Sequence, residues 1–125
     1  MPITSLRDEE KQLTVFTATG ELSFDEIRNA ITSFYEGDYT LKVLWDMRDA
    51  TARAVSSKHV DQIENLLEKY RQQRSKGIKT AIVTPTDLDY GISRMLVSIA
   101  EIREKRFPVL MNVFRTMDEA LNWIS

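Results

Sequence analysis

Apolar positions along the chain follow a two-residue period in some segments and a helical period in others. Residues 3–7 and 12–18 have strand character, with Leu13, Val15 and Thr17 alternating with Thr14, Phe16 and Ala18. The polar segment 8–11 between them is short enough for a hairpin loop. From Ser23 the pattern changes: Ile27, Ala30, Ile31 and Phe34 fall at i, i+3, i+4 and i+7, one apolar stripe of a helix. Ser23-Phe24-Asp25-Glu26 has the capping-box form that starts such a helix, and Gly37 is placed to end it in a left-handed conformation. Residues 41–48, Leu-Lys-Val-Leu-Trp-Asp-Met-Arg, are nearly continuously apolar and end in charge. That run predicts a strand covered on both faces, the central one of a mostly parallel sheet.

Beyond it, residues 49–55 read as a loop and a helix begins near Ser56 or Ser57. Its stripe is Val60, Ile63, Leu67 and Tyr70, with acidic residues early and basic residues late, as the helix dipole favours. Gly77 stops it, and residues 79–84 before Pro85 read as the next strand. A third helix is expected from Thr86 to about Lys105, with a stripe of Leu88, Ile92, Met95, Leu96, Ile99 and Ile102. Pro108 then opens a strand over 109–114, and Thr116-Met117-Asp118-Glu119 caps a short terminal helix. The predicted order β-β-α-β-α-β-α-β-α belongs to an α/β fold, a mostly parallel sheet with alternating helices and right-handed crossovers.

Composition narrows the function classes. With 125 residues, one domain spanning 1–125 is expected, and there is no room for a second. No apolar run approaches the ~20 residues of a membrane span, and the first five residues lack a signal pattern, so a cytoplasmic location is expected without a transmembrane segment. The chain has no cysteine and one histidine, which removes thiol chemistry and multi-histidine metal sites. A net charge of -2 offers no general attraction to nucleic acid. No cofactor, no metal and no catalytic residue is expected.

Five places remain as candidates for chemistry or contact. Ser56 and Ser57 stand where a helix needs a cap, and a phosphate would also be tolerated there, among free amides and at the positive end of the dipole. Asp46 and Arg48 are expected on opposite faces of the central strand and unpaired, with Asp46 accepting amides from the following loop. His59 reads as a packed or half-exposed neutral imidazole. Tyr90 and Arg94 lie one helical turn apart on a polar face, a pair able to stack and to serve as a partner surface. The carboxyl edge of the sheet, with helix starts, hydroxyls, Arg48 and Arg115, suits an anion. That edge, centred on Asp46, Arg48, Ser56 and Ser57, is the expected functional surface.

The strand ending Leu44-Trp45-Asp46-Met47-Arg48, the Ala81-Ile82-Val83 strand, Tyr90-Gly91 with Arg94-Met95, and the closing Val113-Phe114-Arg115 with Glu119-Ala120-Leu121-Asn122-Trp123 occur in an order and spacing that resembles the SpoIIAA-like branch of the STAS superfamily. That superfamily is named for sulphate transporters and anti-sigma factor antagonists, and it is related to lipid-binding CRAL-TRIO domains. The resemblance implies a non-enzymatic, regulatory binding module that contacts a protein partner or a small anionic or apolar ligand, alone or as a homodimer. A carrier of a lipid or other apolar ligand is the alternative. In anti-sigma factor antagonists a serine in an Asp-Ser-Ser-Gly-like motif after the central strand is phosphorylated. Here the corresponding stretch is Ala54-Val55-Ser56-Ser57-Lys58, without that aspartate or glycine.

Overall fold

A computed structural model describes residues 3–51, 53–74, 76–103 and 110–125; the side chains of Ser57 and of residues 99–103 fall outside the described set. The elements are β1 (Ile3–Asp8), β2 (Leu13–Glu21), α1 (Phe24–Glu36), β3 (Lys42–Thr51), α2 (Ser57–Lys69), α3 (Arg71–Arg74), β4 (Lys79–Val83), α4 (Asp87–Arg103), β5 (Met111–Phe114) and α5 (Met117–Ile124). One sheet runs in the order β1-β2-β3-β4-β5, with β1 antiparallel to β2 and every other pair parallel. The apolar run of the sequence is therefore the middle strand of five.

Successive parallel strands are always neighbours here, so the sheet grows in one direction. With crossovers of one hand, growth in one direction places every crossover helix on the same face. Accordingly Ile31 and Phe34 of α1, Ile63 and Leu67 of α2 and Val97 of α4 join Phe16 and Val43 of the sheet in one apolar cluster. α5 is not a crossover and covers the other face, where Ala120 and Ile124 pack on Leu44, Ala81 and Val83. The α1 and α2 stripes read from the sequence are the ones buried.

Several local details differ from expectation: residues 49–51, read as loop, continue β3, and the helix expected to run to Gly77 ends at Lys69, with the single turn α3 following it. β2 continues through Gly20, whose φ of 74° carries the strand on to pair Gly20 with Ala50 and Glu21 with Thr51. Gly37 is not left-handed, having φ -98°; a Cβ there would lie 2.8 Å from the Ser33 carbonyl oxygen, so glycine is needed for close approach. On α4 the inward line is Asp89, Ser93, Leu96 and Val97, spaced i, i+4, i+7 and i+8, while Leu88 and Met95 of the expected stripe are 55% and 37% exposed. A polar Asp89 and a small Ser93 on the buried line hid the true face from a count of apolar residues. The side chains of Ile99 and Ile102, and residues Lys105, Pro108 and Val109, lie outside the described residues.

Candidate functional site

Thr17, Asp46, Val83 and Phe114 stand in register across four strands. This is the carboxyl edge of β4 and β5, and the amino ends of α4 and α5 follow within a few residues. β3 overshoots it: residues 49–51 pair only with β2, after a register shift that sets Met47 and Arg48 opposite Ala18. Asp46 is buried on the α5 face, like Leu44 two residues earlier.

Asp46 and Arg48 form a two-point ion pair, correcting the expectation that they would lie apart. Arg48 Nε donates to Asp46 Oδ1 at 2.9 Å, Arg48 Nη2 to Oδ2 at 3.0 Å, and the Arg48 amide to Oδ1 at 3.2 Å. The reason is elementary: alternation places residues two apart on the same face, so i and i+2 meet. The guanidinium hydrogen bonds hold the Asp46 carboxyl below the usual carboxylate range, against burial that pushes it up. Arg115 is engaged as well, donating to Asp87 Oδ1 at 2.7 Å and to the Pro85 carbonyl at 3.3 Å. Both cations expected to attract an anion at this edge are thus paired within the chain.

Ser56 is the exposed N-cap of α2. Its amide donates to Nδ1 of His59 at 3.1 Å, and its hydroxyl lies 3.4 Å from the same nitrogen. A histidine thus occupies the place a capping-box carboxylate would take. The imidazole stacks on Phe24 with ring centres 5.1 Å apart and planes 6° from parallel, and Arg28 lies 5.8 Å from the Phe24 ring centre. The first turns of α1 and α2 are joined by this stack. Ser57 opens α2, but its side chain is outside the described set.

Tyr90 and Arg94 do not stack on each other. Arg115, from the segment after β5, places its guanidinium 4.3 Å from the Tyr90 ring centre, and Arg94 reaches Asn112 Oδ1 at 3.5 Å. Both residues tie α4 to the β5 edge. One helical turn gave them proximity, but β5 offered an acceptor to one and a cation to the other.

Beneath α1, α2 and α4 lies a cavity of about 110 Å³ against the sheet. Val43, Trp45 and Met47 of β3 form its floor, and Val55, Ile27 and Ile92 line it near the helix starts. Trp45 stacks on Phe16 at 4.5 Å, which fixes one wall. Among the described residues no charged side chain lines it; the hydroxyls of Thr80 and Ser93 are its small polar groups.

No family model matches the sequence, and no curated protein matches it. Solved structures do. A protein of the DUF3478 family with a SpoIIAA-like fold from Shewanella loihica has 19% identity and a TM-score of 0.50, over 98% of this chain and 92% of that one. An anti-sigma factor antagonist from Mycobacterium paratuberculosis has 18% identity and a TM-score of 0.56, over 98% and 93%. The Bacillus cell fate determinant SpoIIAA in its phosphorylated form has 13% identity and a TM-score of 0.54, over 98% and 99%. The fold is SpoIIAA-like. At these identities the likeness is one of architecture, and it extends over nearly the whole chain.

Within this SpoIIAA-like fold, the sequence points to Asp46, Arg48, Ser56 and His59 but not to the contacts between them or to Phe24. In the sequence Phe24 reads as part of a cap and His59 as a packed or half-exposed ring. Their parallel contact has no one-dimensional signal, because the two residues belong to different helices. The cavity was equally hidden: its lining looks in sequence like any core, and only the spacing of three helices over the sheet leaves it unfilled. No helix among the described residues is long and apolar enough to cross a membrane.

Proposed function

We propose that the chain is a non-enzymatic regulatory module that binds a protein partner through the carboxyl edge of its sheet, at the start of α2 around Ser56, with Asp46 and Arg48 at the same edge. The observation that carries the reading is an exposed serine at the N-cap of α2, directly after the loop from the central strand. An anti-sigma factor antagonist and a phosphorylated SpoIIAA share the fold, which supports both a protein partner and a phosphoryl switch at Ser56 or Ser57. A phosphate at that site meets free helix amides, so the fold tolerates it while the surface offered to a partner changes. Tyr90 and Arg94 extend the same surface along α4.

The test is capture of a partner from host extract by wild type, Ser56→Asp and Ser57→Asp, with circular dichroism to establish that each variant is folded. One protein held by the wild type and released by an aspartate variant is the expected result. Equal capture by all three chains removes the reading. A second reading, a carrier of a lipid or other apolar ligand, is favoured by the cavity under the helices.

A further inference from the structure

The cavity has a size, a chemistry and a position, and each restricts what enters it. Its volume of about 110 Å³ is below that of an engineered cavity of ~150 Å³ lined by Leu, Ile and Phe, which stays dry and takes up benzene or xenon. Pockets that hold drug-sized ligands run to roughly 300–1,000 Å³, and since this one is partly open to solvent, a whole lipid would have to extend through its opening or part α1, α2 and α4. Thr80 and Ser93 supply the small hydroxyls and no charged side chain lines the space among the described residues. An ionised ligand would lose its hydration there without a counter-charge. In position, Val55 precedes the cap Ser56, and Ile27 lies one turn after Phe24, so the cavity wall is continuous in sequence with both sides of the Phe24–His59 stack.

We infer that this cavity is an effector site for a small uncharged apolar molecule, about the size of benzene or a short alkyl group, and that its occupancy is felt at the start of α2. This rests on the reading of Ser56 as part of the contact surface. A guest pressing on Val55, Val60 and Ile27 bears on the sequence neighbours of Ser56 and His59 and on the residue one turn from the stacking partner Phe24. The guest therefore changes the surface offered to a partner without touching it. Packed interiors transmit such strain because they have little free volume in which to absorb it.

Two-dimensional amide spectra of the full chain provide the test, with benzene and, separately, decanoate as probes. Benzene is expected to give saturable shifts at Ile27, Val55, Ser56 and His59, and decanoate none at these positions. Ser93→Leu fills the cavity and should abolish the benzene shifts. Should overpacking unfold that variant, Leu96→Ala provides the opposite change: it enlarges the space and should admit naphthalene, which the wild type excludes. Absence of benzene shifts, identical shifts in folded Ser93→Leu, or failure of Leu96→Ala to admit naphthalene overturns the site. Saturation by decanoate at the same residues overturns the size limit in favour of the carrier. Shifts confined to Ile27 and Val55, with Ser56 and His59 unmoved, overturn the effector role. Failure of the partner reading is separable, because equal capture by wild type and Ser56→Asp leaves the benzene spectra unaffected.

Discussion

The two faces of the sheet are built from the same strands but finished differently. One lies under α1, α2 and α4, is the larger apolar cluster, and still leaves a cavity. The other is closed over β3 and β4 by the eight residues of α5 alone, and leaves Leu6 of β1 74% exposed. The difference follows from topology, since three crossovers of one hand must share a face and only the terminal helix is free to take the other. Many helices do not guarantee tight packing. Three rigid cylinders meeting over a twisted sheet have to satisfy one another as well as the strands, whereas α5 needs only to settle onto small and branched side chains, Ala81 and Val83.

Aromatic truncation should separate the faces most strongly. Trp45 belongs to the floor of the helix-covered face and stacks on Phe16, and Trp45→Ala should cost about 3–5 kcal/mol in chemical denaturation. Trp123 sits on the flank of α5 against Phe114, and Trp123→Ala should cost about 1 kcal/mol. Equal losses would mean that the two faces contribute alike and that the distinction between them has no energetic content.

Caps come next. Thr116 accepts from the Glu119 amide at 3.3 Å and donates its hydroxyl to the Glu119 carboxylate at 2.9 Å; Ser23 does the same for Glu26 on α1 at 3.2 and 3.0 Å. Each change to alanine should cost about 1 kcal/mol. Their consequences should differ, because α5 is too short to persist by itself. Thr116→Ala should speed amide exchange throughout α5, and Ser23→Ala should do so only in the first turn of α1. Exchange that spreads equally in both helices would remove the contrast.

A subtler separation lies in pH. On the α5 face Asp46 titrates below its usual range because Arg48 binds its ionised form. Its stabilising contribution is complete above the ordinary carboxylate range and is lost as pH falls through the lowered folded value. On the other face Tyr70 is pushed above the usual tyrosine range by burial, and then by the hydroxyl's hydrogen bond to Glu36. Its contribution is complete below the ordinary tyrosine range and disappears as pH rises through the raised value. Asp46→Asn should therefore flatten only the acid side of a stability profile, and Tyr70→Phe only the alkaline side. A change on the wrong side for either variant would contradict the assignment. Smallest of all, Arg94→Ala removes one long surface hydrogen bond and should shift stability by no more than about 0.5 kcal/mol.

Much of this architecture is legible in the amino-acid order, for identifiable reasons. Strand 42–48 announces itself because a strand buried on both faces has no room for polar residues, and the stripes of α1 and α2 because a helix touching a sheet along one line buries every third or fourth residue. The SpoIIAA-like resemblance depended on order and spacing, which parallel topology preserves. The rest depends on distances that spacing along the chain does not show. Leu88 and Met95 looked inward because they are apolar, but the orientation of α4 is set by contacts with α2 and β5, and these put Asp89 and Ser93 inside. Gly37 looked like a left-handed stop, but the deciding fact is the distance to the Ser33 carbonyl. The Asp46–Arg48 pair is a different case: regular alternation already puts residues two apart on one face, and the bulge at Met47–Arg48 sets the geometry in which they meet.

Counting also fails further along β3, for a physical reason. Alternation is an arithmetic of twos, and the place where Met47 and Arg48 together face Ala18 adds one. Up to Asp46, even-numbered side chains of this strand lie on the α5 face; past it, Asp49 pairs with Thr19 and the parity is inverted. The strand is thus two phrases joined by a change of phase. Deleting one residue at the junction would remove the bulge and let the strand alternate regularly, keeping Leu44, Trp45 and the pairing of Asp49 to Thr51 with β2, while the double step opposite Ala18 that carries Arg48 would be lost. The extra residue is therefore dispensable to the sheet and serves only the place where Met47 and Arg48 stand together.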